Sequence, residues 1–267
     1  MDARFTREGP LLEIESYPGW AQDMVADCVD SRLRVVDHEL TRLMRDAELD
    51  PAQLRTFLTG FWPVIEQFPQ YMAMNLCKVQ YGRTPGHDMA RHYLIRNIRV
   101  EQNHADHWVD WAEASGVSKL DLLYDDVPTA ASALSHWCWH TCERDPLPAA
   151  MAATNYAIEG ATGEWAMVIC SGGTYEKSFG PESRRRAMKW LRLHAEYDDK
   201  HPWEALDIIC TMMGSDPSPR DVASLRSSVR KSYEYMRLTL DSCLDAGSDV
   251  TTVRPPMPVE RRERELA

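Results

Sequence analysis

Apolar positions recur along nearly the whole chain at spacings of three and four, the period of a helix with one buried face. The strict alternation that a half-buried strand requires is nearly absent. Helix punctuation cuts the pattern into segments at about 19–28, 30–48, 51–81, 86–115, 130–143, 147–172, 181–213 and 218–246. Asp50-Pro51 reads as an N-cap followed by proline at the first helical position, and Asp145-Pro146 and Gly180-Pro181 open segments in the same way. Gly116, Gly172-Gly173 and Gly214 close others. The pattern therefore predicts an all-α protein.

No internal repeat or composition shift divides these helices, so residues 1–246 are expected to form one domain. The segment 247–267 combines Gly247, Pro255, Pro256 and Pro258 with the charged run from Glu260, and reads as a flexible C-terminal tail. Between Ser118 and Pro128 lies the longest stretch without helical periodicity, either a lid or a plain connection.

Composition narrows the function. A net charge of -11, with basic residues dispersed among acids, argues against nucleic acid as a partner. Arg184-Arg185-Arg186 is the local exception, and reads as a solvated helix face. Seven cysteines at irregular spacing inside helical patterns read as reduced, buried thiols. No secretory core opens the chain and no apolar run is long enough to insert stably in a membrane, so a cytoplasmic protein is expected.

Two stretches carry the candidate chemistry. In Glu101-Gln-Asn-His104 the glutamate and histidine are three residues apart and share a helix face. In His194-Ala-Glu-Tyr-Asp198-Asp-Lys-His201 the three named residues form a stripe at i, i+4 and i+7. Carboxylate and imidazole together are the donor set of iron or manganese. An isolated ExxH is weak evidence, because both residues are ordinary on a surface. Here, however, Ile98, Val100, Ala105 and Trp108 make part of the segment apolar, and a carboxylate on a buried face needs a partner. Glu66, in Val64-Ile65-Glu66-Gln67-Phe68, and Glu159, between Ile158 and Gly160, sit among apolar or small residues. The plain alternative for each is a buried hydrogen bond or an arginine partner, with Arg96 and Arg99 the obvious choices. Pro202 disfavours the helical conformation at His201, so the second stripe is expected to kink at its last member.

Other constellations carry less. His136 and His140 alternate with Cys138 and Cys142, but on one helix the two pairs point about 200° apart and do not converge on one zinc ion. Neither a nucleophile elbow nor a phosphate loop is present.

One ExxH with one HxxxDxxH differs from the paired ExxH motifs of ferritin-like bundles. The combination resembles the haem-oxygenase-like di-iron oxidases. Four segments carry the resemblance: RNIRVEQNHADHWVDW at 96–111, ALSHWCW at 133–139, MAATNYAIEGATGEW at 151–165 and MKWLRLHAEYDDKHPWEALDIIC at 188–210. They are most similar to the fatty-acid decarboxylases of that family. The resemblance implies a haem-oxygenase-like (TenA-like) bundle of about seven to eight helices. It further implies Fe(II), two ions, with O2 as co-substrate and electrons from an external, unknown donor.

Glu101, His104 and His194 would then be the catalytic ligands of the tighter iron, with Glu66, Glu159, Asp198 and His201 completing the second metal site. The implied reaction is oxidative decarboxylation of a medium-chain fatty acid, such as dodecanoic acid, to a terminal alkene by removal of a β-hydrogen. An alkyl chain would need an apolar tunnel, for which Trp190, Leu191, Tyr233, Tyr235, Met236, Leu238 and Leu240 are candidates, most of them read as plain core residues at helical spacing, and Arg237 would meet either the carboxylate or solvent. Three alternatives stay open: an oxidase of the same family acting on an amino acid or amine, a metal-free thiaminase-like protein using Cys138 or Cys142, and a non-catalytic helical binding module. Chain length and oligomeric state, a homodimer included, are left open.

Overall fold

The computed structural model describes residues 4–197 and 200–246. Its described residues form helices joined by short turns, with no strand among them. In chain order these are α1 (Gly19–Val36), α2 (Glu39–Arg45), α3 (Pro51–Cys77), α4 (Pro85–Glu101), α5 (His104–Ala114), α6 (Lys119–Tyr124) and α7 (Thr129–Arg144). They continue as α8 (Leu147–Met151), α9 (Glu159–Cys170), α10 (Thr174–Ser178), α11 (Pro181–Ala187), α12 (Lys189–Tyr197), α13 (His201–Met213) and α14 (Pro219–Asp245). A π-helical stretch, Ala152–Ile158, joins α8 to α9. The expected all-α class holds. The fourteen α-helical segments among the described residues exceed the expected seven to eight because several long segments are cut by turns.

Helix α3 is the central strut, packed against α4, α5, α7 and α14. Asp50 caps it by accepting from the Ala52 amide at 2.8 Å, and the Gln53 side chain reaches back to the Asp50 amide. It runs on through Pro63 and Pro69, whose missing N–H groups are tolerated inside a helix packed on several sides. Around α3, α5, α9 and α12 the largest fully buried side chains gather: Trp108, Trp111, Trp165 and Trp190, with Phe57 among them. The edge-on and offset rings bury large apolar area in the geometry that aromatic quadrupoles favour.

Three expectations change. The segment 86–115 is two helices, because a turn at Gln102–Asn103 ends α4 and starts α5. The segment 181–213 is three, α11, α12 and α13; Pro202 takes the first turn of α13, where its absent N–H costs nothing. The break expected near residue 29 falls instead at Asp37–His38, where the His38 ring accepts from the Leu40 amide at 3.1 Å and caps α2. The stretch from Ser118 to Pro128 contains α6, opened by a Ser118–Asp121 capping box and tied to α3 by Arg55, which meets both Asp121 and Asp125. It is a pinned connection. The proposed C-terminal tail, 247–267, lies outside the described residues.

Candidate metal centre

Glu101 is the last residue of α4 and His104 the first of α5, so the turn between two helices, rather than one helical face, brings them together. His104 Nδ1 lies 2.6 Å from Glu101 Oε2, and both side chains are buried. The His194 ring, carried in by α12, sits with its centroid 4.8 Å from that of His104. His194 donates from Nδ1 to the Trp190 carbonyl at 2.8 Å and stacks on the Trp190 ring at 3.7 Å. A proton held on Nδ1 makes Nε2 the lone-pair nitrogen, the form that ligates a metal. Burial, reinforced by the neighbouring His104, holds the His194 pKa well below its ordinary value, so the ring is neutral.

The second group comes from α9 and α13. His201 Nδ1 lies 3.1 Å from Glu159 Oε1. The other carboxylate oxygen accepts from Tyr93 at 3.4 Å and from the Asn155 amide at 3.3 Å. Asn155 lies in the π-helical stretch one turn before Glu159, and π-helical turns inside α-helices are frequent at functional sites. The Tyr93 hydroxyl also reaches the His201 carbonyl at 3.3 Å, tying α4 to the start of α13.

The continuous i, i+4, i+7 stripe is corrected: α12 ends at Tyr197 and α13 begins at His201, so His194 and His201 belong to different helices. Asp198 falls outside the described residues. Glu66 is half-buried on α3, accepts from the Gln67 side chain at 2.9 Å, and does not line the cavity described below. The arginine partners considered for the buried acids do not materialise: Arg96 pairs with Glu204, and Arg99 is exposed.

A narrow cavity of about 30 Å³ joins the two groups. Its polar members are Glu101, Glu159, Thr162 and His194; Phe61, Val64, Ile65, Phe68 and Ile158 supply an apolar wall. Among the described residues no three donors already close on a common point. The set still fits iron in its chemistry: two buried carboxylates, each paired with an imidazole, and a third, neutral imidazole oriented by a backbone carbonyl. Sequence reading missed Tyr93 and Asn155, although Asn155 stands four residues before Glu159 and that spacing marks a shared helix face.

The remaining candidates resolve plainly. Cys138 and Cys142 are fully buried, and burial raises both thiols, Cys142 to about 12, so neither is poised as a nucleophile. His136 and His140 face outward, away from them. Arg237 pairs with Asp241 along α14, and Leu238 is exposed. No helix among the described residues is long and apolar enough to cross a membrane.

The fold is the TenA-like, haem-oxygenase-like helical bundle. A TenA homologue from Pseudomonas syringae pv. tomato superimposes with a TM-score of 0.89 at 56% identity, covering 91% of this chain and 99% of its own. A domain with a haem oxygenase-like fold from Shewanella denitrificans matches at 0.65 and 15% identity, over 85% of this chain and 91% of its own. A candidate TenA-like thiaminase from Sulfolobus solfataricus matches at 0.61 and 12%, over 84% and 94%. Likeness at these two low identities speaks for the fold alone. No protein of curated function matches the chain. The family described as iron-containing redox enzymes matches residues 55–235, and the chain belongs to it.

Proposed function

We propose that this protein is an oxygen-dependent, non-haem iron oxidase that decarboxylates a medium-chain fatty acid to a terminal alkene, in the manner of the 1-undecene-forming decarboxylase UndA. The observation that carries the reading is that Glu101, Glu159 and His194, the two carboxylates each paired with an imidazole, line one cavity with phenylalanine and branched aliphatic side chains. Membership of an iron-containing redox family supports the metal.

Glu101, His104 and His194 would hold one iron, and Glu159 and His201, with Asp198, the second. Bound iron supplies the one-electron oxidising chemistry towards dioxygen and substrate. The chain's own groups supply position and environment. The Trp190 carbonyl fixes the His194 tautomer, and burial keeps that ring uncharged, so it binds a cation without first losing a proton. Tyr93 and Asn155 hold one oxygen of Glu159, which leaves the other facing His201. The apolar side chains Phe61, Val64, Ile65 and Phe68 of α3 would exclude water and lie against an alkyl chain whose carboxylate meets the donors.

Alkene formation removes a hydrogen from the β-carbon and one more electron, and the bond to the departing carbon dioxide breaks. Those two electrons reduce dioxygen halfway to water, and an external donor supplies the other two. The cavity has room for roughly two waters, so binding of an alkyl chain requires lining side chains to move. The test is to load the protein anaerobically with ferrous iron, admit oxygen with saturated acids of eight to sixteen carbons, and analyse the gas above the solution. A terminal alkene one carbon shorter than its acid is the expected product. No alkene at any length refutes the substrate assignment.

A further inference from the structure

A roomier cavity than the one at the donors lies away from them, on the opposite side of the π-helical stretch and α9. It encloses about 480 Å³ between α1, α9, α14 and the start of α13, within the range of about 300–1,000 Å³ typical of small-molecule sites. Glu159 and Thr162 face the metal donors, whereas Tyr156, Gly160, Glu164 and Met167 of the same helical run face this chamber. Gly160 and Pro202, which pack together here, adjoin Glu159 and His201 in sequence, so the chamber backs directly onto the second donor pair.

The lining is mainly apolar, with Val25, Met167 and Trp203 prominent and Met167 exposed at the mouth. Its polar groups are few and converge. Arg32 and Glu164 form an ion pair at 2.7 Å, and the phenols of Tyr156 and Tyr233 stand close to that pair. Neither phenol has a hydrogen-bond partner among the described residues, although Tyr233 is only 3% exposed. Burial keeps both phenols protonated, so both are available as donors. With Glu164 already taken by Arg32, donors outnumber acceptors. A head group that accepts hydrogen bonds satisfies them, and a cation does not.

We propose that this chamber is a second ligand site, separate from the metal centre, for a single-chain amphipath with an anionic carboxylate head held by Tyr156, Tyr233 and Arg32 and an unbranched alkyl tail against Val25, Met167 and Trp203. The assignment rests on the chamber itself and not on decarboxylation at the metal centre.

Calorimetric titration of metal-free protein with dodecanoate, dodecanol and dodecylamine tests it. Dodecanoate is expected to bind once per chain and tightest of the three. The double variant Tyr156→Phe/Tyr233→Phe should weaken it about tenfold, and Val25→Trp, which fills the chamber from a partly exposed position, should abolish it. Met167→Trp, introduced at the mouth, is the second blocking variant should Val25→Trp fail to fold. Dodecanoate binding that survives a folded blocking variant, tighter binding of the amine, or no binding to the metal-free protein overturns the proposal. Alkene formation by the iron-loaded blocking variants is read separately. Chamber binding without alkene removes the proposed reaction and leaves the chamber. Alkene without chamber binding does the reverse.

Discussion

The Nδ1 of His194 lies 2.8 Å from the carbonyl of Trp190, one helical turn earlier, while the two rings stack at 3.7 Å. One residue thus sets both the tautomer and the plane of a candidate ligand. Trp190 is itself fully buried and packs on Trp165, Trp111 and Trp108. His194 of the candidate metal centre is therefore held on the hydrophobic core.

Truncation at that contact should be costly in two ways. Trp190→Ala is expected to lower stability by about 3–5 kcal/mol, as for other large aromatic truncations in a core, and to weaken iron binding because the ring that positions His194 is gone. Denaturant melting and anaerobic ferrous titration read the two effects. Unchanged metal affinity in a folded Trp190→Ala protein would sever the link between the tryptophan and the site.

Thiol reactivity separates an iron enzyme from a cysteine-dependent one. Burial raises Cys138, Cys142, Cys210 and Cys243 above their ordinary value, whereas Cys77 is exposed. Alkylation of the native protein at pH 8 should modify Cys77 first and leave Cys138 and Cys142 unlabelled, as mass spectrometry of peptides would show. Rapid loss of function with label on Cys142 would favour the nucleophilic alternative.

Acid should loosen α6 before it disturbs the helices that carry the candidate donors. The Arg55 guanidinium, with help from Ser118, holds the Asp121 carboxyl at about 2, below its ordinary 3.8. A depressed carboxylate contributes its full stabilisation above the unfolded value and loses it as pH falls through the folded one, so the window is roughly pH 4 to 2. Hydrogen-exchange protection of residues 118–125 should fall across that window in the wild type, and Asp121→Asn should abolish the pH dependence. Protection in the wild type that stays constant down to pH 2 would contradict the Arg55–Asp121 tie.

Much of the helical pattern was legible in the sequence because punctuation is local, and so were Glu101, His104, Glu159, His194 and His201, which the helices bring near one another. Asp50-Pro51 caps α3 as its residues announce, and Pro202 marks the start of α13. The turn at Gln102–Asn103 was not legible: both residues are compatible with a helix, and the break belongs to how α4 and α5 pack. Glu66 shows the limit of neighbourhood reasoning. Its flanks are apolar, yet Gln67 holds the interior polar position, accepting from Trp139, Ser135 and Tyr71. The π-helical stretch that presents Asn155 beside Glu159 has no periodicity of its own to read.

Anaerobic titration of the metal-free protein with ferrous iron, followed by metal analysis after gel filtration, reads whether these donors hold iron and how tightly. Glu101, His104 and His194 approach one another from packed helices, whereas the second donor pair straddles the break before His201. One tightly held iron and a second held more weakly are expected, with Glu101→Gln and His104→Ala removing the tight one and Glu159→Gln only the weak one. Two equally tight sites, or full iron content in the folded Glu101→Gln and His104→Ala proteins, would contradict that expectation.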